Sequence, residues 1–182
     1  MPTRREMLRA IAAIGGTCLL SQARAGADGE GFREIPWSAL LPEGWDPKAP
    51  FKGLRLESLD DADPRAQEAL MNAREYWKSA PIEPSLQGAK VRLHGYVVPM
   101  SGDASIVREF LLVPYFGACI HVPPPPANQV IHVLMDKPLK SRLRTMSAVW
   151  VSGIMRVERF ASVMGDAGYA MRGLVVEPYL RP

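Results

Sequence analysis

Cysteine and histidine are scarce in this chain, with two Cys and three His among 182 residues. No run of 18 apolar residues occurs, so a helix spanning a bilayer is excluded. There is no Gly-rich phosphate loop, no Gly-x-Ser-x-Gly elbow and no His-Glu-x-x-His helix, so three common enzyme signatures are missing. No internal repeat is visible. An excess of one charge is also missing once the N-terminus is set aside. Residues 1–25 hold Arg4, Arg5, Arg9 and Arg24 against Glu6 alone, and the rest of the chain is formally neutral. The sequence pI near 9.0 therefore belongs to the leader. A nucleic-acid binder needs a basic stripe to neutralise phosphates, so nucleic acid is not an expected partner. Hydrophobic residues at 47% and charged residues at 23% are ordinary globular values and exclude wholesale disorder. The length fits one domain with a small appendage.

The first 25 residues have the three parts of an export signal. A charged start, Thr3 to Arg9, precedes an apolar core from Ala10 to Leu20, which is too short to span. Ala23-Arg24-Ala25 is a small-x-small cleavage site, with Ala25-Gly26-Ala27 as a second option. Paired Arg4-Arg5, followed by Met7 and Leu8, resemble a twin-arginine signal; an ordinary secretory signal with a chance Arg pair is the alternative. Either route predicts a periplasmic protein. Cys18 lies inside the apolar core and leaves with the leader. Gly15-Gly16-Thr17 before it is not a lipobox, so a soluble rather than lipid-anchored protein is expected. Cys119 then stands alone, which excludes an intramolecular disulfide and marks it as a free thiol, a ligand or a link between chains.

Three stretches follow: a leader (1–25), an extended N-terminal arm (26–62) and a helix-plus-barrel domain (63–182). In the arm Trp37, Leu40, Leu41 and Trp45 sit among Pro36, Pro42, Pro47 and Pro50, which suit neither a helix interior nor a central strand. It is expected to lie over the domain. Asp63 is a good N-cap with Pro64 at the first helical position. Ala66, Ala69, Leu70, Ala73, Tyr76 and Trp77 then recur at helical spacing, which predicts a helix ending near Ser79. Beyond Pro84 the texture changes to short strands, at 90–98, 107–113, 130–135, 147–157 and 171–176. Gly95, Gly153 and Gly173 fall near their middles, where a sheet must bend to close. The fold predicted is mainly β (α+β): a small, OB-like five-stranded barrel with one N-terminal helix and an extended arm. Residues 158–166 are expected to form a short helix or loop.

Chemistry-bearing residues cluster between Pro114 and Gln129. Cys119 and His121, two apart, share a face on an extended backbone. Thiolate and imidazole together are the donor pair that zinc or copper prefers. His132 on the next strand is a third candidate ligand, and His94 a fourth. The same pair also reads as a small buried hydrophobe beside a core histidine, or as a thiol with a neighbouring base. Pro123, Pro124, Pro125 and Pro126 form a stiff rod. This is either a rigid connection or, with Tyr115 and Phe116, a docking element for a partner.

The stretches Gly95-Tyr96-Val97-Val98-Pro99-Met100, Glu109 through Val122 with the four prolines, Val151-Ser152-Gly153 and Val176-Glu177-Pro178-Tyr179 resemble domain-of-unknown-function family 3299. The resemblance runs from about residue 34 to 180. It implies an exported bacterial protein, and some members resemble accessory components encoded beside zinc-responsive ABC-type export systems. The family's Cys and His correspond to Cys119 and His121. The expectation is a soluble periplasmic metal-binding accessory protein, with zinc as its metal and components of an ABC-type envelope transporter as partners. The alternative is a non-enzymatic interaction module of the envelope with a structural Cys/His pair.

Overall fold

The computed structural model describes residues 31–54, 60, 63–100, 107–118, 124–139 and 143–179. A two-residue strand, β1 (Arg33–Glu34), precedes the helix α1 (Pro64–Lys78). Five longer strands follow: β2 (Lys90–Pro99), β3 (Val107–Val113), β4 (Ile131–Leu139), β5 (Ala148–Arg156) and β6 (Tyr169–Pro178). They pair in the order β2-β3-β4-β6-β5, and β5 returns to β2, so the sheet closes into a five-stranded barrel. All pairings in the barrel are antiparallel except β4 with β6. This is the small OB-like barrel that the strand pattern and its glycines predict. Residues 157–168 form a loop with one bridge, Phe160 to Ala167.

Alternation sets which side chains fill the barrel. Along β2, Val91, Leu93 and Val97 point inward while Arg92, His94 and Tyr96 point out, the period of two that a strand with one core face requires. Gly153 and Gly173 face each other across β5 and β6, beside a register shift. A Cβ on Gly153 would lie 2.5 Å from the Arg172 carbonyl oxygen and 2.7 Å from Met171 Cγ. Glycine is needed there because neighbouring backbone and a core side chain occupy the space.

The arm is more deeply engaged than a cover. β3 pairs with β2 only from Tyr96 onward, so the first half of β2 would present an open edge. β1 takes that edge in parallel, and the Ile35 amide bonds to the Arg92 carbonyl at 3.0 Å. Leu40 is fully buried in the main core with Ile35 beside it. Its proline-rich surroundings lack any periodicity that could announce this burial. The helix begins where its cap predicts: the Asp63 carboxylate accepts the Arg65 amide at 2.9 Å. Arg65 also holds that carboxyl below its usual range, through its side chain first and its amide second. The apolar stripe of α1 packs on the arm. Trp45 stacks on Tyr76, and Trp77 Nε1 donates to the Pro47 carbonyl at 2.8 Å.

At one end of the barrel the fully buried Tyr169 donates its hydroxyl to the Leu40 carbonyl at 2.7 Å and accepts from the Glu83 amide at 2.6 Å. Tyr169→Phe leaves both backbone groups without this partner, and a loss of about 1–3 kcal/mol in chemical denaturation is expected. Burial pushes the Tyr169 pKa upward. The unfolded chain therefore loses this proton first, so the stabilisation is present below the ordinary tyrosine value of about 10 and is lost as pH rises through the folded one. Stability of the native protein should accordingly fall more steeply above that pH than stability of Tyr169→Phe. In the sheet, Gly153→Ala should cost about 1–3 kcal/mol by overpacking, read from the same denaturation curves.

Candidate functional site

Outward-facing residues of the barrel line up in rows set by the register. One row runs Val98, Leu111, His132, Ala170, Arg156 across β2, β3, β4, β6 and β5. The first part of this row is covered. Val98, Leu111, Val113, Ala118, Val130 and Ala167 form a second buried cluster on the outer face, with Tyr96, Met146 and Phe160 packed against it. This second core explains why the run Phe110–Val113 is apolar on both faces. The covering loop is pinned at two points. Arg159 donates to the Lys78 and Ala80 carbonyls at 3.1 and 2.6 Å, closing the C-terminal end of α1. Phe160 and Ala167 exchange backbone bonds at 2.9 and 2.8 Å.

Where that cover ends, His132 lies mostly buried, its side chain 13% exposed. Its Nε2 is 2.7 Å from Glu109 Oε1 on β3, a diagonal cross-strand pair. Phe160 stacks on the ring at 3.7 Å between centroids and 12° between planes. Next to His132 in the row, Ala170 offers only a methyl group, and longer side chains around it leave a cleft of about 310 Å³. It is lined by the apolar Leu134, Met135, Ala170 and Met171 and by the charged Arg108, Arg156, Arg172, Asp136 and Glu158. Arg156 pairs with Glu158 at 3.1 Å, while Arg172 and Asp136 are 4.0 Å apart.

The residues expected from the sequence divide. Cys119, His121 and Pro123 lie outside the described residues. The chain enters that segment from the buried Ala118, in the same outer cluster as Val130, two residues before His132. His94 is not brought to His132. It sits on β2, two strands away and four residues further along, where it stacks on Tyr179 at 5.0 Å and meets the edge of Trp150. Two strand spacings and four residues are roughly 10 and 13 Å, too far to share an ion. Tyr115 and Phe116 are exposed, and Phe116 meets Tyr96 edge-on at 5.9 Å. Pro124, Pro125 and Ala127 line a smaller cleft with Arg74, Trp77 and Lys78 of α1, and Pro125 is buried there. Among the described residues, no group of three His, Cys, Asp or Glu side chains could hold a metal ion, and no helix is long and apolar enough to cross a membrane.

A family model described as "Protein of unknown function (DUF3299)" matches residues 37–178. A crystal structure of a DUF3299 family protein from Pseudomonas aeruginosa PAO1 superposes with a TM-score of 0.65. It is 39% identical and covers 86% of this chain and 99% of that one. The chain belongs to the DUF3299 family. No curated protein matches. The DUF3299 match takes in the arm from Trp37, with the buried Leu40, and α1, the barrel and the Cys119–His121 segment together. Glu109 and the cleft arginines escaped the sequence reading because their meeting depends on cross-strand register. The only signal for them was the alternation that puts His132, Leu134 and Asp136 on one face.

Because Phe160 joins the outer cluster to the His132 ring, Phe160→Ala should loosen the 157–168 loop locally. Faster amide exchange at Phe160 and Ala167 is expected, by an opening free energy lowered about 2 kcal/mol. Amides of β2 should be unchanged. Equal acceleration in both places would mean that the loop is not an independent unit.

Proposed function

We propose that this DUF3299 protein is an exported, periplasmic metal-binding accessory of an envelope transport or metal-homeostasis system, with zinc as the metal. The observation that supports this reading is the Glu109–His132 pair at 2.7 Å. A ligating histidine characteristically gives its second ring N–H to a carboxylate, which fixes the tautomer and raises the basicity of the ligating nitrogen. Assigning the Nε2 proton to the bond with Glu109 leaves Nδ1 as the lone pair for a metal. Phe160 holds the ring plane without blocking its edge. His132 supplies one ligand, and Cys119 and His121 are the proposed others. Thiolate and imidazole match zinc, and three protein ligands leave a fourth position open for exchange.

Both donor types must be deprotonated to bind. Zinc affinity is therefore expected to fall as pH drops through the histidine range, because protons compete for the same lone pairs. Protein purified without chelator should carry about one zinc per chain, as one three-ligand site holds one ion, and a Cys119→Ser/His121→Ala variant none. Glu109→Gln should fold normally and bind zinc about 10–100-fold more weakly. No zinc in either the native or the double-variant protein, with zinc added back, would reject the reading.

A second reading rests on a different observation. Phe116 is 67% exposed and Tyr115 44%, beside the half-buried Tyr96 and Met146. Such an aromatic patch supports a non-enzymatic interaction module that presents Tyr115 and Phe116 to an envelope partner. Of the proline rod, the buried Pro125 would contribute rigidity, and Pro124 and Pro126 the accessible surface. Under this reading, Tyr115→Ser/Phe116→Ser loses its partners from envelope extract while keeping its zinc content, whereas Cys119→Ser/His121→Ala keeps the partners. Identical partners for native protein and aromatic variant would remove it.

A further inference from the structure

The cleft beside His132 has chemistry that metal binding does not use. Its hollow exists because Ala170, a single methyl, stands in a row between His132 and Arg156. A volume of about 310 Å³ is at the small end of pockets that take small molecules. The lining is apolar below three arginines and two carboxylates, Asp136 and Glu158, an excess of one positive charge, and the cations are unequally engaged. Arg156 is tied to Glu158 at 3.1 Å. Arg172 reaches Asp136 only at 4.0 Å, the outer limit of an ion pair. Arg108 has no hydrogen-bond or ion-pair partner among the described residues. Among the described residues, two guanidinium groups thus keep forked N–H donors to spare at the edge of an apolar hollow. That fork fits the paired oxygens of a carboxylate or phosphate better than a single point charge would.

We propose that this cleft binds a small organic oxyanion with an apolar body. The oxyanion, a carboxylate or a phosphate monoester, is held by Arg108 and Arg172. The apolar body rests on Ala170 and Leu134 beside Phe160. A cation of similar shape is rejected by the same rim. The proposal does not depend on the metal reading, since neither arginine is a ligand and the test uses metal-free protein.

The experiment titrates purified protein, stripped of metal on a chelating resin, with phenylacetate, phenyl phosphate and benzylamine. The Ala170 methyl resonance is followed in alanine-methyl-labelled protein. A saturable shift with phenylacetate or phenyl phosphate, and none with benzylamine, is expected; the tighter of the two acids identifies the oxyanion. Arg108→Gln should weaken binding about tenfold, as the loss of a charge-assisted contact does. Ala170→Leu, read by titration calorimetry because it lacks the reporter methyl, should abolish binding by filling the hollow, with the remaining alanine-methyl resonances in place to show that the fold is intact. The proposal is overturned if neither acid gives a saturable shift, if benzylamine shifts Ala170 as strongly, or if Arg108→Gln and Arg172→Gln both bind like the native protein.

Discussion

A tyrosine hydroxyl at the end of the barrel fixes where everything outside it can lie. Tyr169 opens β6 inside the core, and its oxygen bonds both the Leu40 carbonyl and the Glu83 amide. Backbone groups drawn into a protein interior need partners, and the arm has little secondary structure of its own to supply them. Neighbouring bonds extend the same clamp. Asn128 Nδ2 donates to the Pro81 carbonyl, Gln129 Nε2 to the Trp37 carbonyl, and the Gly168 amide to the Ala127 carbonyl. Together they set three crossing segments, the arm, the link from α1 to β2 and the turn before β4, against one barrel end. Once the arm is fixed there, β1 lies on the open edge of β2, and an edge covered from within the chain is not available for pairing with another copy.

The second cluster on the outer face follows from the same closure. A small barrel has room inside for only one side chain from each inward position, so the outward residues Val98, Leu111 and Val113 need a cover of their own. Loops 114–118 and 157–168 provide it, and the latter is tied to α1 through Arg159. The cover stops at Phe160, and His132 sits at that boundary. It is buried enough for its bond to Glu109 to be strengthened by reduced solvent, and open enough to line a cleft. Its position at the rim of a loop, rather than any unusual local sequence, makes it a candidate for chemistry.

Much of this architecture was legible. Asp63-Pro64 marked the start of the helix because the cap chemistry is local, and the five barrel strands showed because alternation is local too. Leu40 was not legible, since a buried residue between prolines has no period to betray it. Nor was Glu109 beside His132. The two are 23 positions apart, and a slip of one residue between β3 and β4 would turn one of them to the other face. Gly153 and Gly173 were visible as sites of closure, but their reasons emerge only from the pairing: the Arg172 carbonyl crowds Gly153 beside a register shift, and the core side chains of Met135 and Val133 crowd Gly173. For the candidate ligands the limit is different: His132 is placed, whereas Cys119 and His121 lie outside the described residues.

Electrostatics connects the two proposed uses of this face. Arg156 stands two strand spacings from His132 in the same row, roughly 10 Å. Its partner Glu158, 3.1 Å away, offsets most of that guanidinium's field, so the rim's uncompensated positive charge is carried by Arg108 and Arg172. Neutral histidines alone would hold zinc poorly beside such a rim. Under the metal reading, the Glu109 carboxylate and a thiolate from Cys119 would together cancel the charge of the ion, which neutral histidines alone would not. The same rim favours an oxyanion whether or not a metal is present. A bound acid would in turn offset the rim and ease cation binding nearby. By linkage the effect must be reciprocal: if zinc and an acid bind on this face together, each should raise the affinity of the other.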